Sequence, residues 1–411
     1  MSAADGAEMS DALAKRGFSR CDVPEDADAV LISTCTVRQH AEQRALSLIG
    51  SLRPWRQAKP GRVLIVAGCA AERLDASLQK RFPHVDLVIG AKSIERFDEI
   101  VAEAIGERFD GLEESKEAFG WQPTGSSATA YVTIMRGCNY SCSYCIVPAV
   151  RGRELYRPVE GVLADIRLKV KNGAREVMLL GQTVNSYRSG GVDFAGLLRE
   201  ADKTQGLARL RFMSPHPHYA DDAMLDAMAQ CKTVCPQLHL PAQSGSDRLL
   251  KLMKRNYTAA RLLERVAAAR RKVAGVVLTT DIIVGFPSET DDDFEQTLSL
   301  VEAMKPASAY CFKYSPRNGT IAADTMPDDV PQDVKEARLA RLNAVVDALT
   351  EESLKAQHGR KVEVLSEQAR FGRTPEGFKV RWDRDIPIGA LATVQVTGAA
   401  RRTLLGEIHE F

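Results

Sequence analysis

No apolar run in this 411-residue chain reaches 18 residues, and the opening MSAADGAEMSDALAKRGF holds neither a basic stretch nor an apolar one. That excludes a membrane-spanning helix of ordinary length, gives no sign of export, and predicts a soluble, cytoplasmic protein with no membrane partner. A dominant charge sign is missing too: 55 Lys and Arg stand against 54 Asp and Glu, a formal net charge of +1. Any nucleic-acid site must therefore be a local patch. A hydrophobic content of 45% and a charged content of 27% are ordinary for a globular chain, and the length predicts two or three domains. Cysteine is not scarce. Nine of them in a chain without a leader point to a reducing cytosol, where clustered thiols bind metal instead of pairing.

Three of the nine fall within eight residues, Cys138-Asn139-Tyr140-Ser141-Cys142-Ser143-Tyr144-Cys145, directly after the strand-like run Ala130–Met135. A disulfide would use two and strand the third. A structural zinc site wants four ligands, and no fourth Cys or His lies nearby. Three thiolates suit a four-iron cubane cluster that leaves one iron open for chemistry. Spacing alone leaves zinc and a reactive-thiol loop as alternatives.

Residues 1–107 alternate helical and strand signals. An amphipathic helix with Met9, Leu13 and Phe18 inward precedes the buried run Ala29–Ile32; a helix over Gln39–Leu52, the strand Val63–Val66, the strand Asp86–Ile89 and a helix over Ile94–Ile105 follow. Short apolar runs separated by helices predict a doubly wound parallel sheet. Cys35 and Cys69 fall just past two strand ends, where such sheets bind ligands; the plainer alternative is a small residue buried at a strand end. Residues 108–128 are polar and read as a linker.

From 129 to 358, strands are expected at 130–136, 176–181, 208–213, 237–241, 277–284 and 308–314. Helices are expected at Phe194–Ala201, Ala223–Cys231, Asp247–Lys254, Ala259–Val273 and Asp291–Met304, the last opened by a Thr290/Asp293 capping box. Six βα units predict a partial (β/α)6 barrel working at the C-terminal ends of its strands, where polar residues gather: Gln182 to Tyr187, Ser214 to His218, Gln243 to Ser246, Asp281 to Pro287 and Tyr314 to Arg317. The helix Gln332–His358 has an apolar stripe of Leu339, Leu342, Val345, Val346 and Leu349, and is expected to pack outside the barrel. Residues 359–411 alternate apolar and polar, with strands expected at 361–365, 378–382, 391–396 and 404–408; they predict a small β-barrel with nine Lys and Arg against seven acids.

The C-x3-C-x2-C spacing, with an aromatic (Tyr144) before its last cysteine, resembles the radical S-adenosylmethionine enzymes. The three blocks together resemble their methylthiotransferase branch over nearly the whole chain. Thr34–Arg38, Ala41–Arg44, Leu180–Tyr187, Leu238–Asp247, Met253–Arg255 and Asp281–Pro287 are similar to the tRNA-modifying members of that branch. The resemblance implies an enzyme that adds a methylthio group to C2 of N6-isopentenyladenosine beside the anticodon. It implies two 4Fe-4S clusters, one on Cys138, Cys142 and Cys145 that cleaves S-adenosylmethionine to a 5′-deoxyadenosyl radical, and an auxiliary one to which Cys35 and Cys69 belong. It makes the last block a TRAM domain, an OB-like RNA-binding barrel. The implied partners are a tRNA anticodon stem-loop and a reductant such as flavodoxin or ferredoxin, and the chain is expected to be a monomer. Tyr144, Gln182, Ser244, Ser246 and Arg255 are the candidates for holding S-adenosylmethionine, and Lys254 with Arg255 is a candidate for a phosphate or carboxylate.

The family's auxiliary cluster takes three cysteines, the first in a turn after a first strand. Here Met1-Ser2-Ala3-Ala4-Asp5 resembles the residues just past that turn, and Cys21 is no aligned replacement, so the expectation is a shortened start. Cys231, Cys235 and Cys311 read as packing, and His216, His218 and His239 are given no catalytic role. Within the family, threonylcarbamoyladenosine or a ribosomal-protein aspartate is the alternative substrate. A non-catalytic, cluster-bearing RNA-binding protein is the alternative of another class.

Overall fold

The computed structural model describes residues 2–36, 39–105 and 128–411. The expected linker therefore lies outside the described residues except for Ala128, and so do Val37 and Arg38. Two compact units emerge. One gathers the described part of residues 1–123 with Arg136–Tyr140 and Cys145–Glu154; the other gathers the described part of 124–135, Ser141–Tyr144 and Leu155–Phe411. Among the described residues no helix is long and apolar enough to cross a membrane.

The first unit is built on three parallel strands in the order β1 (Ala29–Thr34), β2 (Val63–Gly68), β3 (Leu87–Gly90). All six residues of β2 are buried, as a central parallel strand requires. Its alternate side chains feed two cores: Val63, Ile65 and Ala67 join Met9, Ile94, Phe97 and Val101, while Leu64 and Val66 join Ile32, Ile49, Trp55 and Leu78. Helices thus cover both faces, as the sequence pattern predicts. Met9 is buried in the helix Ser2–Lys15, and Leu13 packs against the same core. Phe18 is only half-buried, because the helix has already ended at Lys15.

In the second unit six parallel strands appear where periodicity places them: β4 (Thr129–Thr133), β5 (Glu176–Leu180), β6 (Arg209–Phe212), β7 (Gln237–His239), β8 (Val277–Val284) and β9 (Ser308–Lys313). They hydrogen-bond as two three-stranded sheets, β4-β5-β6 and β7-β8-β9, joined by an isolated parallel bridge between Leu210 and Val234. A helix at Val159–Lys171 completes the first βα unit; Val159, Val162, Leu163 and Ile166 carry its helical spacing, which the sequence reading passed over. Both halves of the Thr290/Asp293 capping box form. The helix Gln332–Lys355 seats Leu342 and Val346 in the same core.

Residues 361–410 close into a five-stranded barrel of β10 (Lys361–Gln368), β11 (Phe371–Arg373), β12 (Lys379–Trp382), β13 (Leu391–Ala400) and β14 (Thr403–Glu410). The sequence reading finds four of these and misses β11, whose three residues, Phe371-Gly372-Arg373, show no period. Gly372 is obligatory in it, since a Cβ there would lie 1.9 Å from the Leu365 carbonyl oxygen. The barrel is fastened to β6 by two arginines. Arg209 donates to the Arg373 carbonyl at 2.6 Å and to Glu363 at 2.9 Å. Arg211 donates to Glu176 at 2.8 Å, to Gln237 at 2.6 Å, and to the carbonyls of Thr374 and Pro375 at 2.7 and 2.8 Å.

Glu176 and Arg211 are 1% and 4% exposed, so removing one leaves the other charged and buried. The substitution Arg211→Met should therefore destabilise the second unit by about 3–5 kcal/mol. A urea midpoint lowered accordingly supports this role for Arg211, and an unchanged midpoint refutes it.

Candidate functional site

Cys35 and Cys69 are set by strand register. Thr34 pairs with Gly68 across β1 and β2, so each cysteine is the next residue past the end of adjacent parallel strands. The β2 exit is forced: Gly68 has φ +107°, and a Cβ there would meet the Thr34 carbonyl oxygen at 2.5 Å. Thr34 ties the two strand ends, donating to the Ala67 carbonyl at 2.7 Å and accepting from the Ala71 amide at 3.2 Å. The turn after Cys35 is pinned by Thr36, which donates to Glu42 and accepts from Arg73 at 3.1 Å. Cys69 is 4% exposed, Cys35 is half-buried, and Cys21 is exposed with its thiol on the Val23 carbonyl.

A buried ion network lies against Cys69 within the same unit. Arg151 donates from Nε to Cys69 Sγ at 3.2 Å and from Nη2 to Asp5 at 2.6 Å. Asp5, 1% exposed, also accepts from Arg136, which reaches Glu8 and Glu95 as well. Burial works against the Asp5 charge, yet the two guanidiniums prevail and hold its carboxyl below the ordinary value. Burial pushes the Cys69 thiol up, against the pull of Arg151.

The three-cysteine loop runs from Arg136 to the helix Val147–Arg151. In the first unit, Gly137 has φ +77° and would place a Cβ 2.0 Å from the Arg153 carbonyl oxygen, and the Cys138 amide donates to the Gly152 carbonyl at 3.1 Å. In the second unit, Ser143 is a staple. Its amide and hydroxyl donate to the carbonyls of Met253 (3.1 Å) and Leu252 (2.8 Å), and its carbonyl accepts from the Ala322 amide at 2.7 Å. Tyr144 packs against Leu249, Met253, Phe286 and Tyr314.

Arg255 donates from Nη1 to Cys142 Sγ at 3.1 Å and from Nε to Tyr257 Oη at 3.0 Å; that hydroxyl donates on to the Pro241 carbonyl at 2.9 Å. Burial opposes its charge, but Tyr144, Tyr257 and Cys142 more than offset it, so it stays a guanidinium. His216 lies with its ring 5.7 Å from that of Tyr257. Burial, then Arg255, keeps it neutral to about pH 2.

The other expected residues divide. Gln182, just past the end of β5, has a buried Oε1 with no hydrogen-bond partner. The hydroxyls of Ser244 and Ser246 are turned inward: Ser244 meets Thr297 at 3.2 Å, and Ser246 donates to Asp293 at 2.5 Å while capping the helix Asp247–Leu252. Lys254 takes a left-handed φ of +55°. Cys235 and Cys311 are pushed up to about 11 by burial and Cys231 is raised, so all three are protonated packing residues. His239 is held by Thr279 and Asp281. Asp5, Arg151 and Arg211 escape sequence reasoning. The signal for Arg211 is Arg209-Leu210-Arg211, two charges alternating inside a buried parallel strand; Asp5 and Arg151 give none.

Among the described residues no three His, Cys, Asp or Glu side chains are placed to hold one metal ion. A lone ion needs its ligands on a single point, whereas a cubane offers a different iron to each thiolate. Three thiols in one loop, with no fourth Cys or His beside them in the sequence, fit a four-iron cluster. No disulfide joins any cysteines among the described residues.

Residues 132–301 match the Radical SAM superfamily, and residues 1–90 match the uncharacterized protein family UPF0004. The chain is similar to curated tRNA-2-methylthio-N(6)-dimethylallyladenosine synthases. The Myxococcus xanthus enzyme is 38% identical, covering 99% of this chain and 91% of that one. The Porphyromonas gingivalis enzyme is 41% identical over 100% and 93%, and the Anaeromyxobacter dehalogenans enzyme 40% over 99% and 92%. A solved radical S-adenosylmethionine methyltransferase, TsrM from Kitasatospora setae with cobalamin and a 4Fe-4S cluster bound, shares the fold. Its TM-score is 0.60 at 15% identity, over 78% of this chain and 73% of that one.

Because Asp5 titrates below the ordinary carboxylate value, its stabilisation is complete above about pH 4 and is lost as pH falls through the lower folded value. Asp5→Asn should lower the thermal midpoint of the unloaded chain at pH 7 and flatten its fall below about pH 4. An acid limb identical to that of the parent would remove Asp5 as its source.

Proposed function

Since the chain belongs to the family of tRNA-2-methylthio-N(6)-dimethylallyladenosine synthases, we propose that it adds a methylthio group to C2 of N6-isopentenyladenosine next to the tRNA anticodon. The observation that carries this reading is identity of 38–41% to such synthases across 99–100% of the chain. C2 of adenine is an unactivated C–H position, out of reach of a general base. Bound iron–sulfur clusters and S-adenosylmethionine supply radical chemistry able to open it, together with sulfur and methyl.

In this reading Cys138, Cys142 and Cys145 hold the cluster that engages S-adenosylmethionine, and Cys35 and Cys69 belong to the auxiliary one. At the three-cysteine loop the residues present fit, while Cys35 and Cys69 give the auxiliary cluster two of the three cysteines its family uses. Arg255 brings a fixed positive charge to Cys142, as a ligand thiolate requires, and Tyr257 orients that guanidinium. Gln182 Oε1 offers an unpaired acceptor at the end of β5, suited to an N–H donor of S-adenosylmethionine. Tyr144 packs on the apolar cluster that includes Leu249, Met253 and Phe286. Ser244 and Ser246 serve by shaping the loop that Thr297 and Asp293 hold in place. Neutral His216 and bonded His239 need move no proton.

Residues 1–107 form the auxiliary-cluster domain, 108–128 the linker, 129–358 the radical barrel with its outer helix, and 359–411 the RNA-binding barrel. A monomer fed electrons by a flavodoxin or ferredoxin in the cytoplasm completes the reading. The Arg209 and Arg211 fastenings would hold the RNA-binding barrel at a fixed distance from the radical barrel.

Two measurements test it. Nucleosides of tRNA from cells lacking the protein should have lost the methylthio-isopentenyl form and kept its unmethylthiolated precursor; normal levels refute the reading. Anaerobic reconstitution of the 411 residues should give about eight irons per chain, falling to about four when Cys138, Cys142 and Cys145 are changed to Ala. The reconstituted chain should also release 5′-deoxyadenosine from S-adenosylmethionine under reduction. RNA binding without that release would mark a binding protein instead.

A further inference from the structure

The network against Cys69 leaves one buried donor without an acceptor. Two guanidiniums, 8% and 5% exposed, share one buried carboxylate, Asp5. Arg136 has further partners in Glu8 and Glu95, both half-exposed, whereas among the described residues the carboxylate paired with Arg151 is Asp5. The three nitrogens of Arg151 divide accordingly: Nε is on Cys69 Sγ, Nη2 is on Asp5, and Nη1 is buried with no hydrogen-bond partner. A buried guanidinium N–H without a partner calls for an acceptor, and the fork already spans Asp5 and the Cys69 sulfur. Cys35 lies beside Cys69 by strand register, so anionic sulfur held by these two cysteines would fall at this fork.

We infer that Arg151 is a positioning residue of the auxiliary site: braced by Asp5, it holds the Cys69 sulfur through Nε and donates through Nη1 to a sulfide of the cluster. This rests on the reading that Cys35 and Cys69 are ligands of that cluster. Hydrogen bonds and positive charge next to cluster sulfur favour the reduced, more negative state, so Arg151 raises the reduction potential of this cluster.

The test uses the full chain carrying Cys138→Ala, Cys142→Ala and Cys145→Ala, so that iron and spectra report the auxiliary cluster alone. Iron per chain and the midpoint potential, followed by electron paramagnetic resonance, are compared among the Arg151 parent, Arg151→Met and Arg136→Met. Arg136→Met breaks the same ion network without touching Cys69. Retained iron with a more negative potential in Arg151→Met, and the parent potential in Arg136→Met, is the expected result. An unchanged potential in Arg151→Met, or equal shifts in both variants, overturns the inference. If Arg151→Met takes up no iron while Arg136→Met does, Arg151→Lys decides, since it keeps the charge and loses the fork. Lowered potential or lost loading in Arg151→Lys supports the inference, and the parent potential overturns it. An iron-free parent overturns the ligand reading and this inference with it.

Discussion

A guanidinium taken out of water must find acceptors, and much of this chain is arranged around where that happens. Arg136 and Arg151 converge on Asp5; Arg211 spans Glu176 and two carbonyls of the C-terminal barrel; Arg255 sits between Cys142 and Tyr257. Arg338, 8% exposed, does the same for Glu289 and the start of the helix Asp291–Met304. An unpaired charge in such places costs several kcal/mol, so each arginine selects one arrangement of its surroundings and penalises the others. Hydrophobic burial stabilises the layers; these fixed forks set where loops and barrels stand.

Two of the forks end on sulfur, Arg151 on Cys69 and Arg255 on Cys142. They lie in different compact units and use different braces, a carboxylate in one case and a phenol in the other. Each provides a cysteine sulfur with a charged donor whose orientation is fixed by something other than the sulfur itself. That is the arrangement expected of residues that orient ligands and tune a centre without binding it directly.

What was legible in the sequence was whatever has a period or a fixed spacing. The six barrel strands, the Thr290/Asp293 cap and the three-cysteine loop follow from local chemistry, and they stand where the pattern puts them. The three-residue strand Phe371–Arg373 is too short for alternation to register, and its place depends on a glycine that lets the Leu365 carbonyl approach. The interruption of the sheet between Arg209–Phe212 and Gln237–His239 is a matter of which backbone groups meet, which no single strand encodes. Asp5 and Arg151 are 146 residues apart, and nothing local to either foretells the pair. Gln182 was visible because it follows a strand end; the inward turn of Ser244 and Ser246 was hidden because their partners, Thr297 and Asp293, lie on a distant helix.

The staple at Ser143 sets an order of events during synthesis. The carbonyls and amide that fix this loop belong to Leu252, Met253 and Ala322, so its final shape waits for about 180 further residues to be made. At roughly 5–20 residues per second that is about 10–35 s in which Cys142 and its neighbours are on a growing chain without their backbone anchor. In the proposed reading, iron delivered earlier would meet a loop still sampling many shapes, and iron delivered later would meet one whose ordering entropy is already spent. Ordering of this thiol loop is therefore a late event, complete only once Ala322 has joined the chain.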